Sequence, residues 1–458
     1  VKPAFPLSKS FYRNLIPITL METLMKKSLT LLLASGLFIA PVQAFAAPDA
    51  ETAFIFNSLS FLVHGFIVML MAAGFCMLEV GLVRSKNATV QSTKNIGLYS
   101  IAGLMYWLVG YNLMYMDVSG YIGSLAIWAP DDSAVITDAG YVGDAAGYSA
   151  SSDWFFQMVF VAAAASIVSG AVAERVKLTT FLVFSAILTG IIYPIQGSWT
   201  WGGGWLSEMG FSDFAGSSIV HSVGGWAALT GAIIIGARKG KYGDDGSIRP
   251  MPGSNLPLAT IGTFVLWFGW FGFNGGSQLA MGSAADVAAI ANIFVNTNIA
   301  AAAGVVVAII ATALLYGKID LTMALNGALG GLVAITAEPL APTPMLAAFI
   351  GGVGSLLVVV AVPMLDRLKI DDVVGAIPVH LVSGIWGTIA VCFSTDASLI
   401  VQLIGIVSIG AFVVITSSLV WYALKAIMGL RPSEEEEMSG LDVSECGLES
   451  YPDFIRQA

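Results

Sequence analysis

The chain has 458 residues, of which 57% are hydrophobic and only 11% charged, a balance that excludes a water-soluble globule and points to a protein built in lipid. Its formal charge of −10 says little about partners, because the acids gather in loops and in the C-terminal tail; no nucleic-acid partner is expected. Three cysteines (Cys76, Cys392, Cys446) have no metal spacing and two lie in apolar runs, which excludes a disulfide framework and a zinc site.

At the N-terminus, Lys26-Lys27 precede the apolar run Leu29 to Val42, and Ala44-Phe45-Ala46 offers a small-residue cleavage site. This is the pattern of a secretory signal peptide, with start methionines available at Met21 and Met25. Three regions are expected: an upstream segment and signal peptide over 1–46, a transmembrane domain over 47–428 and a C-terminal tail over 429–458. Apolar runs near the roughly 20 residues needed to cross a bilayer predict eleven spans. They cover 57–83, 96–116, 154–173, 178–196, 214–236, 257–278, 286–316, 321–338, 344–365, 373–394 and 397–427. The fold class is therefore an all-α membrane protein. Its 50 glycines, with runs such as Ala162 to Ala165 and Gly351-Gly352, suit helices that pack closely in lipid.

One set of connections carries Arg84, Lys86, Lys94, Arg175, Lys177, Arg238, Lys239, Lys241, Arg249, Lys318, Arg367 and Lys369. The opposite set carries Asp131, Asp132, Asp138, Asp144, Glu208 and Glu338, with no Lys or Arg. By the positive-inside rule the first set is cytoplasmic, so the mature N-terminus is outside and the C-terminus inside.

The chain spells one pattern twice: Asp213, Gly216, Val220, His221, Gly225, and then Asp372, Gly375, Val379, His380, Gly384. Two of its three histidines hold the same place in these copies, one on span 5 and one on span 10. Five spans separate them, and an odd number inverts the second copy, so spans 1–5 and 6–10 read as an inverted repeat with span 11 left over. Each Asp is placed to cap its helix. Each His follows eight residues later, about 12 Å at 1.5 Å per residue, so both histidines are expected near the midplane. Ionisable groups at that depth are costly and mark functional sites by default. His64 on span 1 has no repeat partner and is read as a packing histidine. Glu79, near the inner end of that span, is read as a capping or packing acid.

Together with Gly81 to Asn87, Gly170 to Arg175, Asp213 to His221, Gly269 to Ser277 and His380 to Gly387, these residues resemble the ammonium transporter (Amt/Mep/Rh) family over almost the whole mature chain. The resemblance implies an eleven-helix bundle with one pore per subunit, assembled as a homotrimer in a bacterial inner membrane. It implies that Phe160, Trp201 and Ser277 form an outer ammonium site, and that Phe160 and Phe273 form a gate. It further implies that His221, His380 and Trp270 line the pore and that Asp213 supports the outer site. Two departures are local. Pro378 precedes the second histidine where many members carry glycine, which predicts a kink at the start of span 10. Cys446 stands in the tail where relatives often carry histidine.

The residue types suit the cargo. Aromatic faces attract a cation, each by about 0.5–2 kcal/mol, and a hydroxyl such as that of Ser277 accepts a directional hydrogen bond that potassium cannot donate. An apolar pore expels the cation but admits neutral ammonia. Two imidazoles can pass a hydrogen bond between donor and acceptor nitrogens. The acidic run Glu434 to Glu437 reads by itself as a solvated face. Its likeness to family tails implies docking under neighbouring subunits and control by a PII-type signalling protein. Two rival functions are weighed: an ammonium sensor, for whose output domain a tail of about 30 residues leaves no room, and a Rhesus-type gas channel, against which Trp201 and Ser277 argue. No enzyme, cofactor or metal is expected, since no nucleotide loop, metal spacing or nucleophile constellation occurs.

Overall fold

The computed structural model describes residues 49–143 and 147–452, so the expected signal peptide and Asp144 lie outside the described residues. Nine described helices are long and apolar enough to cross a membrane. They are α1 (Ala50–Leu82), α2 (Ser85–Tyr115), α3 (Ala150–Ala171), α4 (Leu178–Ser198), α5 (Ser217–Ile235), α6 (Leu256–Gly276), α7 (Ala284–Tyr316), α9 (Pro344–Arg367) and α11 (Leu399–Ile427). Two shorter apolar helices, α8 (Leu321–Thr336) and α10 (Ile377–Phe393), occupy the remaining predicted spans. A two-residue antiparallel pairing of β1 (Ile136–Thr137) with β2 (Gly140–Tyr141) lies in the α2–α3 connection.

Local chemistry sets the helix ends. Ser283 and Asp286 close a capping box at the start of α7, which ends at Gly317 in the left-handed conformation. Asp320 caps α8 through the N–H groups of Thr322 and Met323. Thr343 caps α9, with Pro344 in the first turn where a missing N–H costs nothing. Helices α1 and α6 pack along one another through small residues. A Cβ on Gly74 would meet Leu266 N at 2.9 Å, and one on Gly262 would meet Leu78 N at 2.5 Å, so the two backbones approach as only glycine allows. The core runs through the middle of the bundle, around Phe61, Phe75, Phe160, Phe181, Trp270, Phe273 and Trp421. Many outward residues are apolar and exposed, among them Phe66, Phe264, Phe268, Leu314 and Leu419.

One expectation changes here. The second helix begins well before residue 96, so Lys94 lies within it rather than in a connection. Lys94 is buried, donates to the Ser169 carbonyl at 2.8 Å and lies 4.9 Å from the Phe181 ring. Arg175 and Arg238 lie in connections as expected, and both are buried. The reason is hydrogen bonding: Arg175 donates to the carbonyls of Ala171, Ala173, Gly236 and Asp371, and Arg238 pairs with Asp371 and Glu174.

Candidate functional site: an aromatic gate and a histidine pair

The doubled pattern resolves into two matching helix starts. Asp213 accepts four backbone N–H groups, from Gly216 (3.1 Å), Ser217 (2.8 Å), Ser218 (2.8 Å) and Ile219 (2.9 Å). Asp372 accepts those of Gly375 (3.0 Å) and Ile377 (2.7 Å). Both capping roles match the sequence reading. Gly216 (φ 106°) and Gly375 (φ 81°) make the left-handed turn between cap and helix. Each helix then opens with a wide π-helical turn, Ser217–Ser222 and Ile377–Val382, and each histidine sits inside it. Such turns re-aim one side chain and concentrate at functional sites. Pro378 is accommodated in that first turn, and the proline-free copy has the same wide turn, so the shape is not a proline kink.

Those turns bring the histidines together. His221 Nδ1 and His380 Nδ1 are 3.2 Å apart, with ring planes 20° from parallel. One nitrogen must donate and the other accept. His221 is fully buried, and its Nε2 has no hydrogen-bond partner among the described residues. Trp270 lies face-on to His221 at 4.9 Å between centroids and is held by its indole N–H, which donates to Thr336 Oγ1 at 2.8 Å.

Phe273 packs on His221 at 5.1 Å and on Phe160 at 4.0 Å. The second spacing leaves no gap between the two phenyl rings, so a ring must turn before anything passes between them. Beyond Phe160 opens a cavity of about 550 Å³, lined among others by Phe160, Trp201, Ser277, Tyr111, Gln157 and Asp153. Trp201 meets Phe160 edge-on at 6.0 Å and donates its indole N–H to the Asp213 carbonyl at 3.0 Å. One residue thus fixes both the aromatic wall and the histidine helix. Ser277 donates to the Phe273 carbonyl at 2.8 Å, which leaves its oxygen lone pairs free to accept.

On the far side of the histidines is a chamber of about 10 Å³, room for one small molecule. Phe75, Glu79, Ser166, Asn326 and His380 line it. Helix α3 passes both spaces, with Phe160 at the first and Ser166 at the second. The order along the bundle is therefore cavity, phenylalanine pair, histidine pair, chamber. Glu79 accepts hydrogen bonds from Gln91, Asn95 and Ser169, joining α1 to α2 and α3, in line with a packing acid. His64 stands apart, its Nδ1 bonded to Ser60 O at 2.9 Å and its ring edge-on to Phe294.

All seven sequence-predicted site residues and Asp213 therefore belong to one track. Sequence reasoning missed Asp153, Phe156, Gln157 and Phe75. The first three share a face of α3 with Phe160 at helical spacing (153, 156, 157, 160), a signal that was legible in the sequence. Phe156 sits edge-on to Phe160 at 4.8 Å. Among the described residues no three His, Cys, Asp or Glu side chains gather as they would around a metal ion.

The chain matches the Ammonium Transporter Family over residues 59–451. It belongs to that family. It is 41% identical over 426 residues to Ammonium transporter Amt2 of Archaeoglobus fulgidus, covering 86% of this chain and 88% of that one. It is 34% identical over 406 residues to the Ammonium transporter of Bacillus subtilis, covering 85% and 96%. Among solved structures it is similar to a Sensor Amt Protein (37% identity, TM-score 0.79, 86% of this chain and 99% of that one). It is also similar to Mep2 of Candida albicans (26% identity, TM-score 0.74, 88% and 92%). The bundle of apolar helices in this family member accords with a multi-pass membrane protein.

In the acidic run of the tail, Glu434 and Glu435 are exposed as in a solvated face, and Glu437 departs from that reading. Glu437 and Asp442 are buried. Glu437 pairs with Arg431 at 2.5 Å and accepts the Lys239 N–H at 2.7 Å. Asp442 accepts the N–H groups of Thr89 and Val90 at the start of the second helix.

Proposed function

We propose that this protein carries ammonium nitrogen across a bacterial inner membrane. Ammonium is recruited at Phe160, Trp201 and Ser277 and gives up a proton, and ammonia then passes the Phe160–Phe273 gate and the His221–His380 pair. One observation carries this reading: two buried imidazoles joined Nδ1 to Nδ1, with His221 Nε2 unpartnered, between an aromatic constriction and a chamber for one small molecule. A buried polar atom left without a partner is costly. Ammonia, with one lone pair and three N–H groups, can satisfy such an atom as it passes. The aromatic wall supplies cation attraction where ammonium is still charged, and the apolar constriction rejects it once it would have to enter undressed.

The architecture that goes with this reading has eleven membrane crossings, α1–α11, with α1–α5 and α6–α10 as inverted halves and α11 added. The shared Asp cap, left-handed glycine and π turn before each histidine support the repeat. Positive-inside bias supports a cytoplasmic C-terminus. The exposed apolar residues of α7 and α11 suit lipid or neighbouring copies in a homotrimer. The docked tail offers a surface for a PII-type regulator.

Electrophysiology on the purified protein in a bilayer tests the proposal, comparing ammonium, methylammonium and potassium in wild type and His221→Ala. Ammonium and methylammonium are expected to carry current in wild type, with potassium inert, and His221→Ala is expected to lose at least about tenfold, the scale of one lost buried hydrogen bond. Unchanged ammonium current in a variant with both histidines made apolar would sink the relay. Tight ammonium binding without current would favour a sensing role, the second reading, which the likeness to the Sensor Amt Protein supports.

A further inference from the structure

The outer cavity contains a carboxylate with no part in the track described so far. Asp153 lies on α3, seven residues before Phe160 and on the same face, which puts it about 10 Å further out along the helix. It lines the cavity that Phe160, Trp201 and Ser277 also line, yet the residue is only 6% exposed. Burying a carboxylate is expensive unless something offsets the cost. Here Tyr111 Oη donates to one oxygen at 2.5 Å and Gln157 Nε2 to the other at 3.1 Å, and bonds of this kind favour the charged form. Each oxygen accepts only one such bond and so keeps acceptor capacity for a second donor.

The surroundings match a small cation with N–H donors. None of the described residues lining the cavity is Lys, Arg or His, so no cationic side chain among them competes for Asp153. The other two lining acids are engaged in the loop: Asp131 accepts from Ser133, and Asp132 accepts from Ser149 Oγ and the Ala150 N–H at the start of α3. Tyr111, Tyr115 and Tyr148 stand on the same wall. The Tyr115 hydroxyl is buried without a hydrogen-bond partner among the described residues, an open acceptor on a residue that lines the same cavity.

We propose that Asp153 is a first cation station. It would hold incoming ammonium or methylammonium between its carboxylate and the tyrosine wall, and pass it inward to the Phe160–Trp201–Ser277 site. This deepens the proposed function and rests on it. A carboxylate placed before the gate raises the local cation concentration without touching the later steps. It therefore acts on apparent affinity and leaves the maximal rate alone.

The test uses the full-length protein reconstituted in a bilayer, comparing wild type, Asp153→Asn and Asp153→Glu. Asp153→Asn is expected to raise the half-saturating ammonium concentration about tenfold, the scale of one lost charge-assisted hydrogen bond, with maximal current unchanged. Raising the ionic strength should weaken wild-type affinity and affect the Asn variant less, because only the wild type has the charge to screen. Asp153→Glu, which restores the charge in a less well-fitting shape, should recover most of the affinity. The proposal falls if Asp153→Asn keeps wild-type half-saturation, or if Asn and Glu variants lose affinity and maximal current equally, as a purely structural acid would require. Calorimetric titration of ammonium into detergent-purified protein separates this from the transport reading. Wild type that binds without conducting ends the transport proposal, while weaker binding in Asp153→Asn still supports the station. Wild type that neither binds nor conducts ends both.

Discussion

Asp371 and Arg238 meet at 2.8 Å with side chains 0% and 3% exposed, just before the second histidine helix. Burial alone would push the Asp371 carboxyl up. The hydrogen bonds and charge of Arg238, with the nearby Arg175 guanidinium, outweigh it and hold the acid well below the usual carboxylate range. A depressed carboxyl stabilises the folded state fully above its unfolded pKa, and that contribution fades as pH falls towards the folded one. Asp371→Asn removes the charge but leaves Arg238 buried, and breaking one side of a buried pair costs about 3–5 kcal/mol. Thermal unfolding in detergent should find the variant less stable by a constant margin at neutral pH, narrowing only below about pH 4, where the unfolded-state carboxylate titrates. A margin that is flat down to strongly acid pH would show that shape, not charge, makes the contact. Histidine 64 teaches the converse lesson at this scale. It has the same residue type and is buried like His221 and His380, but Ser60 satisfies its Nδ1 locally, and no second histidine meets it.

At the scale of elements, the last position of the doubled pattern finds its reason only when two helices are present. A Cβ on Gly225 would meet Leu381 N and Cβ at 2.7 Å, and one on Gly384 would meet Ser222 Oγ at 2.4 Å and Ser217 O at 2.5 Å. The closing glycine of each copy is thus where α5 and α10 touch, immediately beside the histidines. Gly384→Val should therefore spread the two helices and lengthen the 3.2 Å imidazole contact, cutting ammonium current at least about tenfold, since overpacking of this kind costs about 1–3 kcal/mol. Current at wild-type level in a folded Gly384→Val protein would show that the crossing can relax without disturbing the pair. This also marks how far the sequence could be read. The Asp caps and the histidine pairing follow from spacing and helix rise, because both are properties of a short segment that the sequence spells twice. The wide turn around each histidine does not, since a π turn adds a residue to a hydrogen-bonded ring without changing composition or periodicity. The α3 stripe of Asp153, Phe156, Gln157 and Phe160 was legible by spacing, but such stripes are common in apolar helices, and only the cavity separates this one from ordinary packing.

At the largest scale, the described helices form an apolar bundle fastened at one end by charge. Arg84, Glu174, Arg238 and Asp371 form a connected set there, and the tail is tied into the same region. Composition could not reveal this. Cations such as Lys94, Arg175 and Arg238 look like loop residues in a sequence, yet carbonyls and acids supplied by distant segments bury them. The tail follows the same logic. The short helix α12 (Glu434–Ser439) starts from a Ser433–Glu436 capping box, and Glu437 then reaches Arg431 and the Lys239 N–H. Beyond it, Asn87 accepts the Leu441 N–H at 2.9 Å, and the two oxygens of Asp442 accept Val90 N–H at 2.8 Å and Thr89 N–H at 3.0 Å. Asp442 therefore serves as the N-terminal cap of a helix whose Val90 lies 352 residues earlier in sequence, replacing the side-chain cap that Asn87 itself does not provide. Asp442→Ala should release the last part of the tail at a cost of about 1–2 kcal/mol, the usual worth of a helix cap. Limited proteolysis is the measurement, with cleavage between Glu436 and Glu449 becoming faster by about tenfold, since cleavage of a locally opened segment follows its opening free energy. The melting temperature of the helix bundle should hardly move, because the bundle's core contacts are untouched. If cleavage stays at the wild-type rate, Glu437 and its partners hold the tail alone, and the cap on the second helix is dispensable.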